Sequence, residues 1–213
     1  MDRHSSELVR FITPQSLAEV YNPCFFVRIF FTFPKHCVII HRIPLIIHNQ
    51  PQETAYMAIE IDYINPVIEA LESAFETMLG HTIQRTGLGL KENNCALHPV
   101  SGIIGVSGKA VGTIVLSMSH QVAQKAAGTM LMMEMDETND DVMDAVGELT
   151  NMVAGGAKAK LEAFQLHMSL PNVLCGDNCR LHFPPNAHPI AIPFKCDWGQ
   201  LALEIGFSFP TIK

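Results

Sequence analysis

The sequence predicts an α/β domain built in layers, with a largely antiparallel or mixed β-sheet. Predicted strands and helices are interleaved from Met57 onward. Several strands are joined by tight turns, which are typical of antiparallel neighbours. Two segments with helical periodicity, 67–80 and 142–155, also resemble each other. The interleaving and the tight turns together favour a layered domain with a largely antiparallel or mixed sheet over one with a purely parallel sheet.

The region 57–118 is predicted to contain one helix and four strands. Val, Ile and Thr dominate its strand segments, and glycine ends its helix. Proline is favoured in the first turn of a helix, so Asn65-Pro66 is taken as the helix start. The predicted elements are a strand at 57–62, a helix from Asn65-Pro66 to Gly80, strands at 83–89 and 100–106, a turn at 107–109 and a strand at 110–118.

The region 119–209 is predicted to contain two helices and a terminal hairpin. Ser119 can cap the first of these helices through its hydroxyl group. The predicted elements are a helix at 121–132, an acidic loop at 134–141, a long helix from about 140 to 164, a strand at 166–174 and a hairpin of 190–195 and 201–209.

Composition excludes several function classes. The chain has 213 residues, 48% of them hydrophobic, which is enough for one ordinary domain or a domain plus an extension. Its net charge of −7 argues against nucleic acid and anionic membrane surfaces as partners. Six cysteines show no regular framework and no secretory signal is recognised, so we expect free thiols in a reducing cytoplasm. No apolar run reaches the roughly 20 residues that span a bilayer.

Residues 1–56 differ in pattern from residues 57–213. The first segment shows neither strand alternation nor a helical stripe, whereas patterns become readable at Met57. One interpretation is an extension with its own role. The other, which we favour, is upstream read-through with natural translation starting at Met57. We therefore expect 1–56 to be of doubtful origin, not native or else disordered, and 57–213 to form the functional domain.

The long helix carries the most informative feature of the chain. Asp144, Glu148, Asn151 and Gly155 lie within about 60° of one another on a helical projection, and we call these four residues the ridge. An apolar stripe runs directly opposite: Val142, Val146, Leu149 and Val153.

The simplest interpretation of the ridge is a solvated helix face, since every amphipathic helix has one. Two details count against it. Asn is a poor residue inside helices, and Gly155-Gly156 costs about 1 kcal/mol per glycine relative to alanine. Such costs indicate another constraint, either close helix packing or a docking partner.

The repeat aligns 67–80 on 142–155 without gaps and places Glu69 over Asp144. In this register Ser73 stands at the position of Glu148, and Glu76 at that of Asn151. Two related helices would then carry one intact polar pair and one degenerate pair. The match is short, so chance is the alternative explanation.

Other candidate sites are weaker. Cys175, Cys179 and His182, with His188 nearby, form one irregular group, whereas zinc sites usually show two well-spaced pairs. We therefore expect ordinary thiols and no metal site. No phosphate-binding glycine loop or serine nucleophile elbow is present, so a self-contained hydrolase pocket is not predicted.

Asp144-x3-Glu148-x2-Asn151, with Gly155 after it and the hairpin of 100–117 before it, resembles the motif of the CheC/CheX phosphatases of bacterial chemotaxis. The Glu-x2-Asn core alone is unspecific. The upstream aspartate, the glycine and the hairpin make the resemblance fairly specific.

The resemblance extends from about Met57 to Phe209 and includes the segment Tyr63–Pro66. Family members carry a proline beyond the asparagine, and Pro171 comes slightly early, so the loop there is expected to be shorter. Residues 1–56 have no counterpart. The family fold implies an α/β sandwich with two long related helices on a sheet. Because Ser73 and Glu76 replace the first pair, one site is expected, as in CheX-type members.

The resemblance implies dephosphorylation of a phospho-aspartate on a CheY-like response regulator. An acyl phosphate is already reactive, so the task is to place a water in line and to stabilise spreading charge. Asn151 would hold the attacking water and Glu148 would pair with the regulator's active-site lysine. Asp144 would support docking and Gly155 would permit close approach.

The resemblance also implies no cofactor of the chain's own, Mg²⁺ carried by the regulator, a homodimer and a cytoplasmic location. The principal alternative is a non-enzymatic adaptor of the same fold, like the middle domain of flagellar switch proteins, which lack the Glu-x2-Asn pair. A third hypothesis is a redox- or zinc-dependent sensor that uses Cys175 and Cys179.

Overall fold

A computed structural model describes the backbone of residues 51–209 and the side chains of residues 63–209. The chain divides into two units, Met1–Ile59 and Glu60–Lys213. Residues 1–50 lie outside the described range. The predictions for residues 1–56 therefore remain predictions.

Three α-helices and eight strands make up the described chain. The helices are α1 (Pro51–Ala74), α2 (His120–Leu131) and α3 (Asp140–Lys160), with a π-helical turn at Phe75–Leu79 and a 3-10 turn at Glu162–Phe164. The strands are β1 (Gln84–Arg85), β2 (Gly89–Leu90), β3 (Val100–Ser107), β4 (Val111–Met118), β5 (His167–Met168), β6 (Asn172–Cys175), β7 (Ile190–Cys196) and β8 (Gly199–Ser208).

The strands form one sheet in the order β1-β7-β8-β4-β3-β5, with β2 also paired to β7 and β6 to β3. Every pairing between these strands is antiparallel. The predicted α/β layered class is therefore confirmed, and the sheet is antiparallel rather than mixed. The hairpins β3–β4 and β7–β8 pair in continuous register, as the tight turns predict.

The start of the domain differs from the prediction. Residues 57–62 are helical, and Pro66 lies inside α1 rather than at its first turn. The six residues from Met57 alternate in a way that fits a strand, and so short a run does not separate the two periods. Buried residues recur at helical spacing on both sides of the proline, at Tyr63, Val67 and Leu71. This burial outweighs the backbone hydrogen bond that Pro66 removes.

The other predicted elements are largely confirmed. The helix before Gly80 ends there in a left-handed conformation, and the Ser119 hydroxyl accepts a hydrogen bond from Val122 N at 3.3 Å. The predicted strand 83–89 is instead two short strands. The strand 166–174 is interrupted at Ser169–Pro171, since proline cannot donate to a neighbouring strand.

Both faces of the sheet are covered. The helices pack on one face over a core that includes Ile104, Leu116 and Leu203. The connecting segments 91–98 and 176–183 cover the other face, where the Thr113 hydroxyl donates to His182 O at 3.3 Å. None of the described helices combines the length and the apolar character needed to cross a membrane.

Candidate active site

Helix α3 begins and ends with groups that favour its formation. Asn139 caps it, accepting a hydrogen bond from Val142 N at 3.1 Å through its side-chain oxygen. Asp140 and Asp141 lie in the first turn, and Lys158 and Lys160 in the last. These charges complement the helix dipole at both ends. The helix that carries the ridge is thus well defined, although it ends at Lys160 and not at Phe164.

The apolar stripe opposite the ridge lies in the core, as the periodicity predicts. Val142, Leu149 and Val153 are fully buried, and Val146 is 1% exposed. Asp144 and Glu148 are exposed, and Asn151 and Gly155 are half-buried. The structure therefore brings all four ridge residues to the outer surface of one helix.

The two adjacent glycines serve different purposes. A Cβ added to Gly156 would lie 3.1 Å from the Cβ of Ala70, so this glycine allows α3 to approach α1 closely. A Cβ added to Gly155 would have no atom within 4 Å. Packing against α1 inside the domain explains the glycine at position 156. At position 155 the missing side chain leaves open space on the ridge beside Asn151.

The polar groups of the ridge are available for a partner. Among residues 63–209, no hydrogen bond or ion pair engages the side chains of Asp144, Glu148 or Asn151. A carboxylate accepts hydrogen bonds and attracts an ammonium group, and an amide can both donate to and accept from one water. The arrangement can therefore orient a water and a cation that another molecule supplies.

The position of α3 on the sheet depends on contacts that were not predicted from the sequence. A Cβ on Gly102 of β3 would collide with Thr150, whose hydroxyl donates to Val146 O at 2.6 Å. A Cβ on Gly147 would lie 3.2 Å from Val173 and 3.8 Å from Pro171. Glycine inside a strand often marks close approach of another element, so Gly102 carried a usable signal.

The predicted second pair, Ser73 and Glu76, is also exposed. Burial agrees over the first part of the repeat, where these residues are buried in pairs: Val67 and Val142, Ala70 and Ala145, Leu71 and Val146, Ala74 and Leu149, Phe75 and Thr150. The π-helical turn then shifts the register, so Met78 is 45% exposed where Val153 is fully buried. The two helices therefore correspond without gaps only as far as about Glu76.

The cysteine–histidine group does not converge. Cys175 and His182 are exposed, and the Cys179 thiol donates to Gly176 O at 3.3 Å. Within the part of the chain that the structure describes, no group of three or more His, Cys, Asp or Glu side chains could hold a metal ion.

Comparison with known proteins shows similarity to CheX proteins. The family model described as chemotaxis phosphatase CheX matches residues 100–195. The CheY-P phosphatase CheX of Thermotoga maritima is 31% identical over 87 residues, a match that spans 39% of this chain and 56% of that protein.

Solved structures extend the likeness to about two thirds of the chain. The chemotaxis protein CheX of Vibrio vulnificus superposes with a TM-score of 0.64 at 30% identity, covering 69% of this chain and 99% of that one. A chain of the CheX–CheY–BeF3–Mg²⁺ complex of Borrelia burgdorferi gives a TM-score of 0.57 at 25% identity, covering 68% of this chain and 97% of that one. The chain belongs to the CheX family of chemotaxis proteins.

Proposed function

We propose that this protein accelerates hydrolysis of the phospho-aspartate on a CheY-like response regulator. The observation that carries the proposal is the ridge itself: Glu148 and Asn151 lie one turn apart, with no partner among the described side chains, on the outer surface of a member of the CheX family. A CheX relative crystallised with CheY, BeF3 and Mg²⁺ supports a receiver domain as the partner.

In this proposal the two proteins share one active site. Asn151 holds a water in line with the phosphorus. One hydrogen bond between the Asn151 amide and the water orients the water, and a lone pair of the water oxygen stays free to attack the phosphorus. Glu148 pairs with the regulator's active-site lysine and so fixes the docking geometry. A carboxylate beside the phosphoryl group would repel the charge that develops there, which makes docking a better role for Glu148 than general base.

The remaining parts of the proposal concern the partner and the assembly. Mg²⁺ belongs to the regulator, where it neutralises charge on the phosphoryl oxygens. Asp144 adds to docking, and Gly155 allows the partner to approach α3 closely. Ser73 and Glu76 form no second active site, and the protein is a cytoplasmic homodimer.

The test measures phosphate release from a phosphorylated CheY receiver domain under Mg²⁺. Asn151→Ala is expected to lower kcat about 100-fold, since loss of positioning has costs of that order, with binding largely unchanged. Asn94→Ala is the control, because Asn94 is also an exposed asparagine but lies on the segment covering the other face of the sheet. Normal turnover by Asn151→Ala contradicts the mechanism.

Glu148→Gln separates docking from chemistry. It is expected to raise KM about tenfold, because an interfacial charge pair is lost, and to leave kcat within a few fold. Glu92→Gln is the matched control at an exposed glutamate outside the ridge. A wild-type protein that binds the regulator without accelerating phosphate loss would support the adaptor function instead.

A further inference from the structure

Leu170 is an apolar side chain held out into solvent. It is 85% exposed, in the short connection between β5 and β6. A single exposed leucine needs no explanation by itself. Its fixed backbone and the contact of the next residue, Pro171, with α3 distinguish it from other surface leucines.

The connection that carries Leu170 is fixed on both sides. Ser169 N donates to Gly105 O at 2.9 Å, and Gly105 N donates to the Ser169 hydroxyl oxygen at 3.0 Å. The same hydroxyl donates to Leu170 O at 2.8 Å. Pro171 follows and restricts its own backbone rotation. Leu170 is therefore presented in one backbone geometry, so little conformational entropy is lost when it is covered.

The segment 169–173 borders the ridge. Pro171 and Val173 lie against Gly147, the residue before Glu148. At 100° per residue, Asn151 is offset from Gly147 by about 40° and Glu148 by about 100° in the same direction. Gly156, which faces α1, is offset by about 180°. The ridge thus runs between α1 and the segment 169–173, and Asn151 is its member closest in azimuth to that segment.

We propose that Leu170 is a docking contact for the receiver domain, covered by an apolar surface of the regulator beside its phosphorylated aspartate. This inference rests on the proposed function. The polar side chains of the ridge orient the partner through charge and hydrogen bonding but bring no apolar surface to the contact. A leucine that becomes buried on contact adds affinity through its area without taking part in the chemistry.

The experiment compares Leu170→Ser with wild type in steady-state phosphate release from a phosphorylated CheY receiver domain. We expect KM to rise about tenfold or more, the effect of exposing a buried leucine, with kcat within twofold. Leu170→Met is expected to restore KM. Leu90→Ser is the matched control, since Leu90 is 67% exposed on β2, at the opposite end of the sheet from β6.

An unchanged KM for Leu170→Ser, or an equal rise for Leu90→Ser, overturns the docking role. A fall in kcat at constant KM overturns it as well. These outcomes leave the proposed function standing, because that function depends on the kcat of Asn151→Ala.

Discussion

Lys91 and Glu204 form an ion pair inside the protein, with side chains 2% and 0% exposed. The pair lies between the sheet and the segment 91–98 that covers it. The Lys91 ammonium group also donates to Cys95 O at 2.5 Å. The Glu204 carboxylate accepts from Leu97 N at 3.1 Å and from the Ser117 hydroxyl at 3.0 Å. Each charge therefore has its counter-charge and at least one further hydrogen-bond partner, which is the condition under which buried charges are tolerated.

Removal of one member of this pair is expected to destabilise the domain strongly. Lys91→Ala should lower the free energy of unfolding by about 3–5 kcal/mol, because Glu204 would be left buried without its counter-charge. Urea unfolding followed by the fluorescence of Trp198, the one tryptophan of the chain, measures the change. Lys160→Ala is the control: its pair with Glu69 is 45% and 56% exposed, and such pairs contribute at most about 1 kcal/mol. Equal losses for both variants would contradict the prediction.

His98 is expected to make stability depend on pH. Burial lowers its pKa below the ordinary value of 6.5, and the charge of Glu204 opposes this in part. Below about pH 6.5 the unfolded chain binds a proton that the folded state binds less well, so stability falls as the pH is lowered. The unfolding free energies of wild type and His98→Gln should converge or cross as the pH falls from 7.5 to 5. Parallel curves would show that His98 is not responsible.

The adjacent glycines of α3 are expected to respond in opposite directions. Gly155→Ala should raise the unfolding free energy by about 0.5–1 kcal/mol, because alanine favours the helix and nothing crowds the new methyl group. Gly156→Leu should lower it by about 1–3 kcal/mol through overpacking against Ala70. Thermal and urea unfolding of both variants check this. A lower unfolding free energy for Gly155→Ala would contradict the prediction, because it would mean that another group occupies the space beside Gly155.

Gly102 is expected to control the height of α3 above the sheet. In Gly102→Ala the new Cβ would come within 2.8 Å of the Thr150 Cβ and collide with its hydroxyl. We expect a loss of unfolding free energy of about 1–3 kcal/mol. If the proposed function holds, phosphate release from the regulator should also be slower, since the ridge would move. Thr150→Ala should relieve part of the loss, so the double variant is more stable than the sum of the single changes predicts. Gly89→Ala is the control, because a Cβ there meets nothing within 4 Å.

Helix α3 and its ridge could be predicted from sequence because the 3.6-residue period persists over about twenty residues. The hairpin of β7 and β8 was equally readable, since apolar runs flank a tight turn. The strand predicted at 57–62 was wrong because six residues are too few to separate the two periods.

Long-range contacts were outside the reach of local patterns. No pattern near Glu204 in the sequence predicts its ion pair with Lys91. No pattern near Gly102 predicts that Thr150 is the residue packed against it. The partnership of Pro171 with Gly147 likewise appears only when β6 is paired to β3. The roles of Glu148 and Asn151 depend on a second protein and remain proposals.

The ridge has one more consequence, for protein design. Asp144, Glu148 and Asn151 fall within about two turns, roughly 10 Å, of a single helix. Their spacing is maintained by the helix's own backbone hydrogen bonds and not by distant parts of the fold. If the regulator supplies the phosphoryl group, the metal and the lysine, the part of this protein that takes part in the chemistry can be transferred to another scaffold. An unrelated helical bundle that presents the same three side chains outward, with a small residue at the position of Gly155, is a rational scaffold for a synthetic phosphatase.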